Sequence, residues 1–523
     1  MKSRRRFLRD ITAAAAATAL GPPRLWAGQA PAIVQSETAR PALPQGVAAG
    51  DVGNGRAVIW SRADRPARMF VEYATSDRFD NPLRVPGPAA LEPSDFTARV
   101  VLTGLPADQR IFYRVLFQDL ADVRTWSRPA VGSFSTQPSG GQRRAIKLAW
   151  SADTVGQGWG INPEWGGLRL YEAMRRAEPD IFIHCGDTIY ADQPLAAEVK
   201  LDDGSTWKNI VTPAKTKVAE TLDDFRGNYQ YNLLDEHMRR FNADVPQIVI
   251  WDDHEVRDNW YWERRLDRDQ RYTEKSTAML AARARRAFLE YNPVPIHTDE
   301  PERIHRTVPY GSAVEVFAID MRSYRGPNSE NRQASADDAS ANLGGGQLAL
   351  LKQRLAASTA TWKVIASDMP VGLVVRDFPS FYEAVANGDD GPPLGRELEI
   401  ASLLKFIKQR RIRNVVWVTG DVHYCAAHHY SPERAKFTEF DPFWEFVAGP
   451  LNAGTYAPGA LDATFGPEVK FTGTPAGLKG NRPPSDGLQF FGTMTLDPRS
   501  RAMTVKLHDL SGRDLYKVEL EAR

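Results

Sequence analysis

Cysteine is nearly absent from this 523-residue chain. Cys185 and Cys425 alone cannot build a disulfide framework. Beyond the N-terminus no stretch reaches the roughly 20 apolar residues that a membrane-spanning helix needs, so no stable membrane span is expected. Charge of one sign is also missing: 66 Lys plus Arg face 65 Asp plus Glu, a formal net charge of +1. A generic nucleic-acid binder needs an excess of cations to displace counterions, and no nucleic-acid-binding surface is evident. Disorder is excluded by 42% hydrophobic and 25% charged residues. What the chain has is length for two or three domains, and aromatics for stiff cores: 13 Trp, 16 Tyr and 23 Phe.

The N-terminus reads Ser3-Arg4-Arg5-Arg6-Phe7-Leu8-Arg9, then an alanine-rich stretch to Leu20, then Gly21-Pro22-Pro23. An arginine pair, a short weakly apolar core and a helix-breaking end, in that order, resemble a twin-arginine signal. Residues 1–27 are the segment expected to be removed. The reading implies passage through the twin-arginine export machinery and a periplasmic or secreted product. There the two cysteines could pair, but free cysteines are more often buried core residues.

Residues 40–138 show short alternating runs such as Ala57-Val58-Ile59-Trp60, separated by Gly, Pro and Asp turns, which is the spacing of a small β-sandwich. Pro138-Ser139-Gly140-Gly141-Gln142 reads as a linker. From 143 to 515 apolar strands alternate with helical segments, the pattern of an α/β domain. Strands are expected at 146–151, 180–184, 247–251, 313–319, 362–367 and 414–419. Helices are expected at 165–177, 276–291, 347–357 and 394–410, the third opened by a break at Gly344-Gly345-Gly346. The tail from Leu488 returns to alternation and should close one sheet edge with antiparallel strands.

Each of the six runs ends on or just before an aspartate: Asp153, Asp187, Asp252-Asp253, Asp320, Asp368 and Asp421. Ligands of α/β sheets bind beyond the carboxyl ends of the strands, so these aspartates should converge on one rim. Crowded carboxylates repel one another unless cations neutralise them, which points to a metal site. Three of the strand ends carry further donors: Gly186-Asp187-Thr188-Ile189-Tyr190, Asp252-Asp253-His254-Glu255 and Gly420-Asp421-Val422-His423.

These three motifs, in this order, resemble the alkaline phosphatase D family of metallophosphoesterases. The likeness extends to Gly46-Val47-Ala48-Ala49-Gly50-Asp51, to Asp320-Met321-Arg322-Ser323-Tyr324-Arg325 and to Phe446-Val447-Ala448-Gly449-Pro450, and so covers nearly the whole mature chain. It implies an α/β metallophosphoesterase-like β-sandwich flanked by helices, preceded by an all-β domain of immunoglobulin or fibronectin type. It also implies two metal ions, Fe(III) plus Ca(II), with Mg, Mn or Zn as substitutes. By the same resemblance, Asp187 would bridge the ions, Tyr190 and His423 would complete the ferric side, and Asp253 and Asp421 would hold the companion. His254 would contact the phosphate or protonate its leaving oxygen, while Arg257, Asn259 and Arg322 would be placed for the non-bridging oxygens. The family's usual cysteine after the first strand is missing: Ala152 stands there, and Asp153 next to it is the candidate replacement, a harder ligand than sulfur.

The activity expected is hydrolysis of phosphate monoesters, with diesters second, through a metal-activated water. The alternatives are a phosphodiesterase or phospholipase D-like enzyme and a non-catalytic exported metal-binding protein. Imidazoles beside Asp253 and Asp421 count against the last, because structural calcium has no use for them.

Overall fold

Runs such as Ile181-Phe182-Ile183 are apolar at every position because each strand is covered on both faces. Ile181 and Ile183 enter one core while Phe182 enters another on the opposite side. Val364 and Ile365, and Val416 and Trp417, divide in the same way. In the computed structural model, which describes residues 37–138, 144–377 and 380–523, this alternation yields two large sheets with a shared core between them. Each side chain fully buried there contributes about 1.5–3 kcal/mol. Residues 1–40 and 41–523 separate into two compact units. Of the first, residues 37–40 are described, with the short turn Glu37–Ala39. The 1–27 signal and most of the 138–142 linker lie outside the described residues.

The first sheet has nine strands. Ile146–Ser151, Ile181–Cys185 and Gln247–Ile250 form its parallel centre, with Leu148 opposite Ile181 and Gln247 opposite Phe182. On one side the tail strands Phe490–Leu496, Met503–Asp509 and Asp514–Leu520 add antiparallel, as expected from the sequence. On the other side Val47–Gly53 pairs parallel with Gln247–Ile250 through Gly50 and Gln247, and Arg56–Arg62 and Thr97–Leu102 follow. The second sheet has seven strands, among which Val314–Ala318, Trp362–Ala366, Val415–Thr419 and Phe443–Val447 run parallel.

Helices cover the outer faces. Thr277–Tyr291 places Leu280 and Phe288 against Val249 and Trp251. Gly344–Ala357 and Glu397–Gln409 place Leu355 and Leu404 against Ile365 and Trp417. The fold is thus a mixed-sheet sandwich flanked by helices. Segment 40–138 contributes to two sheets: three of its strands extend the nine-stranded sheet, and Leu83–Ala90, Ala67–Ala74, Arg110–Asp119 and Ala130–Ser135 form a four-stranded sheet.

Three expectations need correction. Gly344-Gly345-Gly346 is the first turn of a helix rather than a break before it. Glu399 makes this possible, because its carboxylate accepts from the Asn342 and Leu343 amides just ahead of the turn. Leu222–Asn232 and Glu236–Asp244 are helices that the periodicity did not reveal. The expected helix at 165–177 begins only at Arg169, because Gly166 and Gly167 hold left-handed conformations ahead of it.

Candidate metal centre

Four strand ends deliver the candidate ligands, and at three of them the backbone leaves the strand by the same device. Asp153, Asp187, Asp421 and His423 have φ of +69°, +53°, +66° and +58°. This left-handed region disfavours side-chain-bearing residues by roughly 1–2 kcal/mol each, least for Asp and Asn. The turn throws each side chain back across the strand end. Gly449 makes room, because a Cβ there would strike the Asp153 carboxylate.

The result is three overlapping clusters, each with its donor atoms within 4.8 Å of one another. Asp153, Asp187 and His423 form one, Asp187, Asp253 and His254 the second, and Asp252, Asp253 and Asp421 the third. Asp187 and Asp253 each belong to two. Both Asp153 oxygens, Asp187 Oδ2, Asp252 Oδ2 and Asp253 Oδ1 are buried without a hydrogen-bond partner. Buried carboxylate oxygens are ordinarily satisfied, so a group of five orphans calls for cations. The electrostatics agree. Burial, reinforced by Asp421, pushes the Asp153 carboxyl well above the ordinary range. Burial pushes Asp187 the same way against the pull of His254. Asp421 rises to about 8 through burial and Glu383. Asp253 is the exception: burial is outweighed by His254 and Arg322, which hold it at about 2.

His423 is prepared as a neutral ligand. Its Nδ1 lies 2.6 Å from the Gly454 carbonyl, which assigns the proton to that nitrogen and leaves the Nε2 lone pair turned inward. Burial lowers its pKa to about 4. The Tyr190 hydroxyl donates to that Nε2 at 2.8 Å. Burial and the nearby Asp187 hold the phenol far above its usual pKa, so a Lewis acid at the same place would be needed to turn it into a phenolate ligand. These residues therefore fit metal ions.

His254 stacks on Tyr190 with ring centroids 4.3 Å apart, and its Nδ1 pairs with Asp192 Oδ1 at 2.7 Å. Burial alone would deprotonate it, but Asp192 and Asp253 prevail and raise its pKa well above normal. Arg257 is buried, and its Nε and Nη1 have no partner. The Asn259 amide donates to Asp253 Oδ2 at 2.5 Å.

Two strand-end aspartates are not part of the cluster. Asp320 accepts from Trp251 Nε1 at 2.9 Å and from the Arg322 and Ser323 amides, which closes its own turn. Asp368 sits 3.2 Å from Arg322 Nε. Arg322 is wholly enclosed by Asp252, Asp368 and Glu383, and its guanidinium serves as an internal counter-charge rather than a phosphate contact. The sequence reading missed Asp192 and Glu383. The one signal for Asp192 was a charge two residues beyond Tyr190 in an otherwise apolar run. Glu383 gave none, since it meets Arg322 from 61 residues away.

A model of the PhoD-like phosphatase family matches residues 148–507, and one of that family's N-terminal domain matches residues 28–138. The chain belongs to the PhoD-like phosphatase family. A curated member, alkaline phosphatase D of Bacillus subtilis (strain 168), is 28% identical over 304 residues, which are 56% of this chain and 49% of that protein. The match thus spans about half the length of the relative. Among solved structures, one of PhoD covers 92% of this chain and 89% of its own at a TM-score of 0.66 and 20% identity. Purple acid phosphatase PPD1 from yellow lupin (Lupinus luteus) seeds covers 92% of this chain and 74% of its own at 0.59 and 13%. At these identities the two likenesses establish the metallophosphoesterase-like fold.

Proposed function

We propose that the chain is a metal-dependent phosphoesterase that hydrolyses phosphate monoesters first and diesters second. The observation that carries this reading is the set of orphaned carboxylate oxygens beside a tautomer-fixed imidazole and an unpaired, buried guanidinium. Asp153, Asp187, Tyr190 and His423 would hold one ion, and Asp187, Asp253 and Asp421 the other. An imidazole with a phenol suits a ferric ion, and an all-carboxylate set suits calcium, magnesium or manganese. Bound there, two cations supply Lewis-acid charge and a nucleophile at neutral pH.

The remaining steps belong to the chain itself. Arg257 offers two unpartnered donor nitrogens to the non-bridging phosphate oxygens, with Asn259 beside it. His254, kept protonated by Asp192, donates a proton to the leaving oxygen. An N-terminal domain of immunoglobulin type and twin-arginine export to the periplasm or medium complete the reading. Cell fractionation of the Arg4→Lys/Arg5→Lys variant checks the export, and retention in the cytoplasm is expected.

Metal analysis joined to turnover of an aryl phosphate monoester and the matching diester tests the activity. About two ions per chain and a preference for the monoester are expected, and Asp187→Ala should lose both metal and turnover. Full activity in a chelated, metal-free preparation would sink the proposal.

A further inference from the structure

The parallel strands of the seven-stranded sheet end at the metal centre and begin at the opposite rim, where the chemistry is different. A groove of about 570 Å³ lies there, at the C-terminal ends of the helices Gly344–Ala357 and Glu397–Gln409. Lys363, Arg410, Arg411, Arg413, Arg501 and Arg523 line it, and among the described residues no Asp or Glu side chain does. The five arginines are exposed, and among the described residues none lies within 4.0 Å of a side-chain carboxylate. Arg303, Arg482 and Arg513, by contrast, each pair with a carboxylate four residues away.

Helix C-termini attract cations, and this accounts for Arg410. It does not account for the rest. Arg501 comes from the turn between two tail strands, and its backbone carbonyl accepts from Trp362 Nε1 at 2.8 Å. Arg411 and Arg501 have φ of +53° and +61°, a conformation that favours glycine. Arg411 also occupies the position just past a helix end where glycine is the usual residue. Two separate segments therefore place guanidinium groups around one groove against the local backbone preference.

We infer that this groove is a docking site for a linear polymer of phosphate groups, distinct from the hydrolytic centre. Guanidinium forks match phosphate oxygens, and several unpaired cations gain affinity by displacing the polymer's counterions. No aromatic ring lines the groove, so stacking of nucleic-acid bases has no platform. Nor does an exposed large apolar side chain line it, so a bilayer has no anchor.

The full-length protein, titrated with inorganic polyphosphate over a range of salt concentrations, tests this directly. The quadruple variant Arg410→Glu/Arg411→Glu/Arg413→Glu/Arg501→Glu should bind at least about tenfold more weakly at low salt. Its log–log salt slope should be smaller by about 3, four contacts at roughly 0.7 each. Turnover of a small aryl phosphate should be unchanged. Arg411→Gly guards against misfolding: it should melt at the same temperature or higher, yet bind polyphosphate more weakly. Equal affinity for native and charge-reversed protein would overturn the inference. So would tighter binding of oligothymidylate, or of phosphatidylglycerol vesicles, at matched phosphate concentration.

Discussion

His254 and His423 are two imidazoles buried at one centre, and their neighbours drive them to opposite charge states. His423 donates its Nδ1–H to a backbone carbonyl and stays neutral, burial holding its pKa at about 4 although Asp153 Oδ1 lies 4.0 Å from its Nε2. His254 lies among Asp192, Asp253 and Asp187, and its pKa is raised. The two should therefore fail differently. His423→Asn should lower bound metal, whereas His254→Asn should keep the metal and lower kcat by about 10²- to 10⁴-fold, the usual share of a proton donor. A donor with a raised pKa is lost as pH rises through that value, so the native kcat should decline on the alkaline side. Asp192→Asn removes the largest stabilising charge on the imidazolium and should move that decline to lower pH.

At the scale of the element, a strand end succeeds as a ligand platform only if the chain can turn sharply after it. Gly186 stands between the strand Ile181–Cys185 and Asp187 with φ of +103°, and a Cβ there would lie 2.5 Å from the Asp252 Cβ. Gly186→Ala should therefore destabilise the fold by about 1–3 kcal/mol, seen as a lower Tm, and displace both carboxylates, seen as reduced metal content. Such turns were legible in the sequence because Gly-Asp follows an apolar run in two places, and the six strands were legible because burial on both faces keeps each run mostly apolar, with single interruptions such as Lys147, Glu315 and Lys363. Ends shifted by a residue or two, as at 180–184 against Ile181–Cys185. Leu222–Asn232 escaped because its buried side includes Arg226, Asn228 and Asn232, which read as polar surface. Asn228 and Asn232 face backbone carbonyls, and Arg226 pairs with Glu290, 64 residues away. Arg322 was misread for a related reason. Its partners Asp252, Asp368 and Glu383 come from three distant segments, so its role exists only once the sheets have assembled.

For the whole molecule, the acidic rim is a store of electrostatic strain that cations relieve. Without metal, Asp153, Asp187 and Asp421 have carboxyls raised above the unfolded value of about 3.9. The folded chain then binds more protons than the unfolded one between about pH 4 and the Asp421 value of about 8. Its stability must fall as pH rises through that window. Chelated protein should accordingly melt lower than loaded protein at pH 8 and recover part of the difference as pH is lowered towards 5. Loaded protein should show no such gain. Thermal melts at the two pH values, with and without chelator, measure it.

Val47–Gly53 has a bearing beyond the site. It meets Gln247–Ile250 in the nine-stranded sheet at one pair, Gly50 with Gln247, and its Val47, Ala49 and Val52 lie in the same buried core as Ile248 and Ile250. If residues 41–138 were cut away, the core would lose Val47, Ala49, Val52, Ala57 and Ile59, and the apolar surface they cover, with Ile248 and Ile250 in it, would be laid open. Apolar surface of that kind is a contact site for other chains. The N-terminal segment therefore acts as a built-in guard against self-association, and the hydrolytic segment expressed by itself should be prone to aggregate.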